Sequence, residues 1–191
     1  MKEKFLEMMR NLAYPVCIAS ASFDNNRYAI TVSSVTSVSL DPKSLLVCIN
    51  KNSSLTKAVR TGGKLNINFL SPAQQEIASI CSSKESADGR FDNDLWEVDV
   101  NDQPFLKKSN AVAFCEIANI VDYGTHRVVI LAVDKVVSSV NCEHGPLLYY
   151  RGDFLNINES IVKFNILEEK KNKNEFIIKT LITFDRKKIQ D

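Results

Sequence analysis

Seven stretches of this chain carry the alternation or the β-branched density of strands, and none alternates with a long helical pattern. That combination excludes an alternating βαβ layout and favours antiparallel strands with short helices around them. Residues 64–70 are the clearest case, with Leu65, Ile67 and Phe69 set against Lys64, Asn66 and Asn68. Residues 14–23 and 28–38 are rich in Val, Ile, Thr and Ser, and Asp24-Asn25-Asn26 between them supplies the chemistry of a hairpin turn. Residues 45–49 form a short apolar run fit for a buried strand. Two long β segments, 111–122 and 126–140, meet at Tyr123-Gly124-Thr125, and 146–150 makes a last short strand.

The helical signals are brief. Phe5, Met8, Met9 and Leu12 fall on one face of a short amphipathic helix. A second helix is expected from Ser53 or Ser54, with Leu55, Ala58 and Val59 inward and Gly62-Gly63 ending it. A third starts at Ser71-Pro72-Ala73-Gln74, where serine, proline and glutamine occupy the N-cap, N1 and N3 places of a capping box. Ala73, Ile77, Ile80 and Cys81 form its expected buried stripe. Residues 82–110 read as polar and irregular, and 155–191 as an extension beyond a single 1–154 domain. The expected fold class is mainly β, a barrel with short flanking helices.

Charge and cysteine usage narrow the function. The net charge is +1, which gives no electrostatic argument for nucleic acid or an anionic membrane. The five cysteines are irregularly spaced and include no C-x-x-C pair, as expected of free thiols used as small hydrophobes in the cytoplasm. The first residues interleave Lys2, Glu3, Lys4 and Glu7 with apolar side chains, unlike a secretion signal, and no run reaches membrane-spanning length. Two histidines and no clustered Cys/His ligands leave little for a metal site. No G-x-G-x-x-G follows a strand, so a Rossmann dinucleotide domain is not expected.

Two segments look chemically active. Thr31-Val32-Ser33-Ser34-Val35-Thr36-Ser37-Val38-Ser39-Leu40-Asp41-Pro42 is dense in hydroxyls. They could be a solvated strand face, or a row of donors and acceptors for a polyhydroxylated ligand. Asn50-Lys51-Asn52-Ser53-Ser54-Leu55-Thr56 joins a buried strand to a helix start, where free N–H groups and hydroxyls favour an anion such as phosphate. A serine there could equally serve only as a cap.

The order of these motifs resembles the flavin reductase-like FMN-binding split-barrel family, which includes short-chain NAD(P)H:flavin oxidoreductases and flavoredoxin-like proteins. The hydroxyl run is similar to that family's T-A-N-S-F-x-S-V-S-L-x-P-P stretch, and Ser53-Ser54-Leu55-Thr56 to its phosphate turn. Leu65-Asn66-Ile67-Asn68-Phe69-Leu70, Arg90-Phe91, Tyr123-Gly124-Thr125-His126 and Pro146-Leu147-Leu148-Tyr149-Tyr150-Arg151-Gly152 continue the match in order, over residues 10–154. The sequence departs at Ser33, where the family has Asn, at Thr125, where it has Asp, and at Val35, where it has an aromatic.

The resemblance implies an antiparallel split β-barrel that binds FMN or FAD, takes hydride from NAD(P)H and works as a homodimer, with a flavin-dependent oxygenase as a partner. It places Thr31, Val32, Ser33, Ser34 and Ser37 against the ring edge and ribityl chain. Ser53, Ser54 and Thr56 would hold the phosphate, with Lys84 as a cationic partner and Asn50 as a further cofactor-binding residue, and Asn68 and Phe69 would line the pocket. His126 would stand by the ring as the catalytic candidate, while His144 reads as structural or exposed. An FMN electron carrier, or a flavin- or haem-binding module without turnover, remains an alternative at this point.

Overall fold

A computed structural model describes residues 1–83, 88–138 and 145–156. Lys84, His144 and the 157–191 part of the expected extension lie outside the described residues. The architecture is mainly antiparallel β. In chain order the strands are β1 (Tyr14–Pro15), β2 (Cys17–Phe23), β3 (Asn26–Val32), β4 (Thr36–Leu40), β5 (Lys43–Asn50), β6 (Lys64–Phe69), β7 (Trp96–Val98), β8 (Pro104–Leu106), β9 (Ala111–Tyr123), β10 (His126–Ser138), β11 (Leu147–Tyr150) and β12 (Asp153–Asn156). The helices are α1 (Lys2–Arg10) and α2 (Gln75–Ser82).

Seven strands form the main sheet in the order β3-β2-β6-β9-β10-β5-β4. Its two outer strands, β3 and β4, are neighbours in sequence, separated only by Ser33, Ser34 and Val35. Laid flat, six interstrand gaps of about 4.8 Å would hold them roughly 29 Å apart. The link reaches roughly 14 Å at most. The sheet must therefore roll up, and β3 and β4 meet without pairing along an open seam, which makes the barrel split. The expected single strand over residues 28–38 is thus two strands on opposite margins of the sheet.

Ser34 sits on that seam. Its Oγ accepts a hydrogen bond from the Cys48 N–H (3.0 Å) and donates to the Cys48 carbonyl (3.2 Å), beyond the point where β4 stops pairing with β5 at Thr36–Leu46. A side-chain hydroxyl thus satisfies two strand groups that a backbone neighbour would otherwise serve.

The β2–β3 hairpin turns at Asp24 and Asn25, both with positive φ (51° and 58°), the geometry of a two-residue primed turn. The long β9–β10 hairpin turns at Gly124 (φ 53°). Strand β2 buries both faces. Cys17, Ala19 and Ala21 face the barrel core with Val47, Leu65 and Ile117, while Ile18 faces an outer core with Ile77 and Leu147. This outer core packs α2, β8 and β11 against the barrel wall. The capping box expected at the start of the third helix is formed, the Ser71 N–H donating to Gln74 Oε1 at 3.1 Å. Within it Gln74 is buried and Ala73 exposed, so the inward stripe is Gln74, Ile77, Ala78 and Cys81.

Two expectations change. The 82–110 segment, expected to be irregular, folds a β7–β8 hairpin over the Asn66 and Asn68 face of β6 and buries it. Asn66 Nδ2 donates to Asp99 Oδ2 (3.1 Å), and Asn68 both donates to the Ile18 carbonyl (2.9 Å) and accepts from the Leu106 N–H (2.8 Å). The helix expected after Ser53 is only a 3-10 turn, Ser54–Lys57, and Gly62 (φ 76°) instead opens β6. Among the described residues, no helix is long and apolar enough to cross a membrane.

Candidate functional site

A cleft of about 790 Å³ opens where the β3 end of the seam faces the 3-10 turn. Val32 and Ser33 come to it from the seam, Asn50 from the end of β5, and Asn52, Ser53 and Ser54 from the chain after it. Cys81 and Ser82 contribute from the end of α2, and Tyr149 and Phe154 from the β11–β12 hairpin. Lys57 and Arg90 bring positive charge, and no described lining residue is a carboxylate. The cleft is a place for an anion with an apolar body.

The hydroxyls do different work. Thr31 lines the cleft, but its Oγ1 donates to the Ala78 carbonyl at 2.6 Å and so ties β3 to α2. Ser53 Oγ lies 3.2 Å from Thr56 Oγ1, which donates to the Asn50 carbonyl at 3.0 Å. Asn50 Oδ1 accepts from the Asn52 N–H at 2.9 Å. These bonds close the 50–56 turn on itself and leave Ser54 exposed at the cleft, where Arg90 reaches its Oγ at 3.5 Å. A 3-10 turn of four residues sums few aligned peptide dipoles, so side chains must supply the field that a longer helix would have given.

Arg90 supplies that field from within. It is 5% exposed, and its guanidinium donates to the Ala29 carbonyl at 2.7 Å and to the Ser83 carbonyl. Its own carbonyl accepts from Trp96 Nε1 at 2.7 Å, so the outer core holds the residue from both ends. Its Nε is buried without a hydrogen-bond partner among the described residues, an unfilled donor at the cleft wall. Burial pushes the Cys81 thiol up to about 12, with the Arg90 charge pulling the other way. Cys81 is therefore a neutral wall residue at physiological pH and no nucleophile.

Among the expected site residues, Thr31, Val32, Ser33, Asn50, Ser53 and Ser54 are brought together in one cleft. Ser34 lies beside them, committed to the seam. Ser37 is an exposed residue of β4 paired with Leu45, and Thr56 braces the turn from behind. Asn68 is buried with its amide bonded inside the barrel wall, and Phe69 packs against the barrel core. His126 is directly opposite Asn50 on the β5–β10 ladder, so the two side chains leave the same face of the sheet. It is exposed at the rim, with Nδ1 2.9 Å from Thr125 Oγ1.

Lys57, Cys81, Arg90, Tyr149 and Phe154 are cleft residues that the motifs did not assign. Arg90 had a signal, since Arg90-Phe91 is itself one of the matched motifs. Tyr149 likewise lies in the matched Pro146–Gly152 stretch. Lys57, Cys81 and Phe154 fall outside every motif, and nothing local marks them.

Residues 9–158 match the family model described as a flavin reductase like domain. The chain belongs to the flavin reductase-like family. It is 32% identical over 154 residues to the reductase component of the FADH(2)-dependent resorcinol hydroxylase of Rhizobium sp. (strain MTP-10005), covering 80% of this chain and 85% of the relative. It is 31% identical over 153 residues to the 4-hydroxyphenylacetate 3-monooxygenase reductase component of Escherichia coli, covering 79% and 89%. The crystal structure of a flavin reductase domain protein from Arthrobacter sp. FB24 superposes with a TM-score of 0.75 at 25% identity, over 82% of this chain and 96% of the other. The mainly β fold expected from strand patterning, and the split barrel that the resemblance implied, agree with this structural neighbour.

Proposed function

We propose that this chain is an NAD(P)H:flavin oxidoreductase that passes reduced flavin to a separate oxygenase, as a reductase component. The observation that carries it is the cleft at the seam. It joins an apolar floor to a cationic turn without a described carboxylate, in a chain about a third identical to reductase components of two monooxygenases.

The donor set fits a flavin phosphate. Ser53 and Ser54 offer hydroxyls, Lys57 and Arg90 offer charge, and Arg90 Nε is a buried donor still to be filled. Thr31, Val32 and Ser33 border the same space and would meet the ring edge. When bound, the flavin supplies the hydride-accepting chemistry, and the chain needs no nucleophile for it. The protein's part is to orient the donor and acceptor and to keep water out, with Tyr149 and Phe154 as apolar wall. His126, on the Asn50 face of the sheet, would position the incoming donor rather than move an obligatory proton.

The working form would be a cytoplasmic homodimer. Exposed Val38, Leu40, Val121, Tyr123, Val136 and Val137 on the barrel strands support this, as apolar surface a second copy could cover. Anaerobic oxidation of NADH and NADPH with added FMN, FAD or riboflavin tests the function. Reduction of at least one flavin by one donor is expected. No oxidation with any combination would refute it and leave a ligand-binding module without turnover.

A further inference from the structure

The cleft does not end at the phosphate turn. Ser54, Lys57 and Arg90 also line a second hollow of about 250 Å³, walled further by Asn26, Arg27 and Phe91. Three of its lining side chains are cations, and none of its described lining residues is a carboxylate. Neither Arg27 nor Lys57 has an ion-pair partner among the described residues. Cations gathered without counter-charge repel one another, and an anion placed among them relieves that repulsion. The Arg27 guanidinium lies over the Phe91 ring, 4.6 Å from its centroid, which holds its planar fork in place. Arg90, buried and with an unfilled Nε, stands between the two hollows and lines both.

We propose that this annex receives the second phosphate of a dinucleotide, so that the site favours a pyrophosphate-bearing ligand over a mononucleotide. The inference rests on the flavin reading of the main cleft, but its own observation is the uncompensated cation group beyond the phosphate turn. Arg27 is the residue specific to it: exposed, on the outer strand β3, and absent from the main cleft. A single phosphate held at Ser53 and Ser54 leaves Arg27 unused, whereas a pyrophosphate continues past Lys57 toward it. Two ligands of the proposed reaction carry that group, FAD and the nicotinamide dinucleotide.

Calorimetric titration of the full chain with FMN, FAD and NAD⁺ separates these sources without turnover. Wild type is expected to bind FAD more tightly than FMN. Arg27→Ala, and Arg27→Gln with part of its aliphatic stem kept over Phe91, should weaken FAD about tenfold or more while FMN stays within about twofold. If NAD⁺ alone weakens, the annex serves the donor's pyrophosphate and the proposal stands with that source. Unchanged affinity for all three ligands overturns the annex while leaving the flavin reading intact, and so does an equal loss for FMN and FAD. A wild type that binds no flavin overturns the flavin reading; the annex then stands only if NAD⁺ still loses affinity on changing Arg27.

Discussion

Replacing Ser34 by alanine asks whether a side chain holds the barrel seam. Its hydroxyl makes two bonds to Cys48, at 3.0 and 3.2 Å, and alanine leaves that N–H and carbonyl without them. A buried backbone group left unpaired costs about 1–3 kcal/mol. Ser34 is half-buried, so water can reach the place in part, and about 1–2 kcal/mol is the apt range. In a chain of 191 residues each kcal/mol moves the melting temperature by roughly 2–4 °C. Ser34→Ala should therefore melt about 2–8 °C below wild type in far-UV circular dichroism or calorimetry. Its neighbour provides the control. Ser33 is exposed and makes no side-chain hydrogen bond among the described residues, so Ser33→Ala should stay within about 1 °C. If the two variants melt alike, or if Ser34→Ala matches wild type, the seam is not held by this hydroxyl.

The remaining expectations can be checked in parallel. Replacing Ser53, Ser54 and Thr56 together by alanine should weaken FMN much more than riboflavin, by about tenfold for a lost charge-assisted bond; equal losses for both would move the phosphate elsewhere. His126→Ala should keep the fold and slow hydride transfer or weaken donor binding about ten- to a hundredfold in stopped-flow reduction, and unchanged rates would return His126 to a plain strand-end role. Burial pushes the Cys17, Cys81 and Cys115 thiols up to about 12. Unfolded thiols lose their protons from about pH 8.5. Between there and pH 12 the unfolded chain holds fewer protons than the folded one, so stability must fall as pH rises, and Cys17→Ala should show a shallower fall in urea titrations. Sedimentation should give about twice the chain mass, and a monomer that binds flavin tightly would rule out the dimer as the working form.

The elements that were legible in the sequence are those whose partners are local. The Asp24-Asn25 turn, the Ser71–Gln74 capping box and the Gly124 hairpin each carry their reason within a few residues. Strand β6 shows the limit. Its alternation was right as a period, but the Asn66 and Asn68 face is covered by β7 and β8, some thirty residues onward in a segment that reads as irregular, and only the fold reveals that. The hydroxyl run from Thr31 to Ser39 could be seen as unusual without being sorted. One member ties β3 to α2, another closes the seam, and Ser33 is left for the cleft. Arg90 escaped notice as a site residue because a buried arginine is defined by the carbonyls around it, which come from residues 29 and 83.

The split seam bears on how the cleft comes into existence. Its two sides lie three residues apart in sequence, yet they can meet only after the sheet between them has curled. That sheet depends on distant pairings, Asn66 with Phe114 and Leu46 with Ile130 among them, which makes folding slow. Residues 31–33 become a binding wall only at the end of that route. A ligand in the cleft then acts as a clamp on the finished barrel, adding about 2.7 kcal/mol at a hundred times its dissociation constant. Cells short of flavin would hold this chain in a state that opens more often, and proteases would meet it there first.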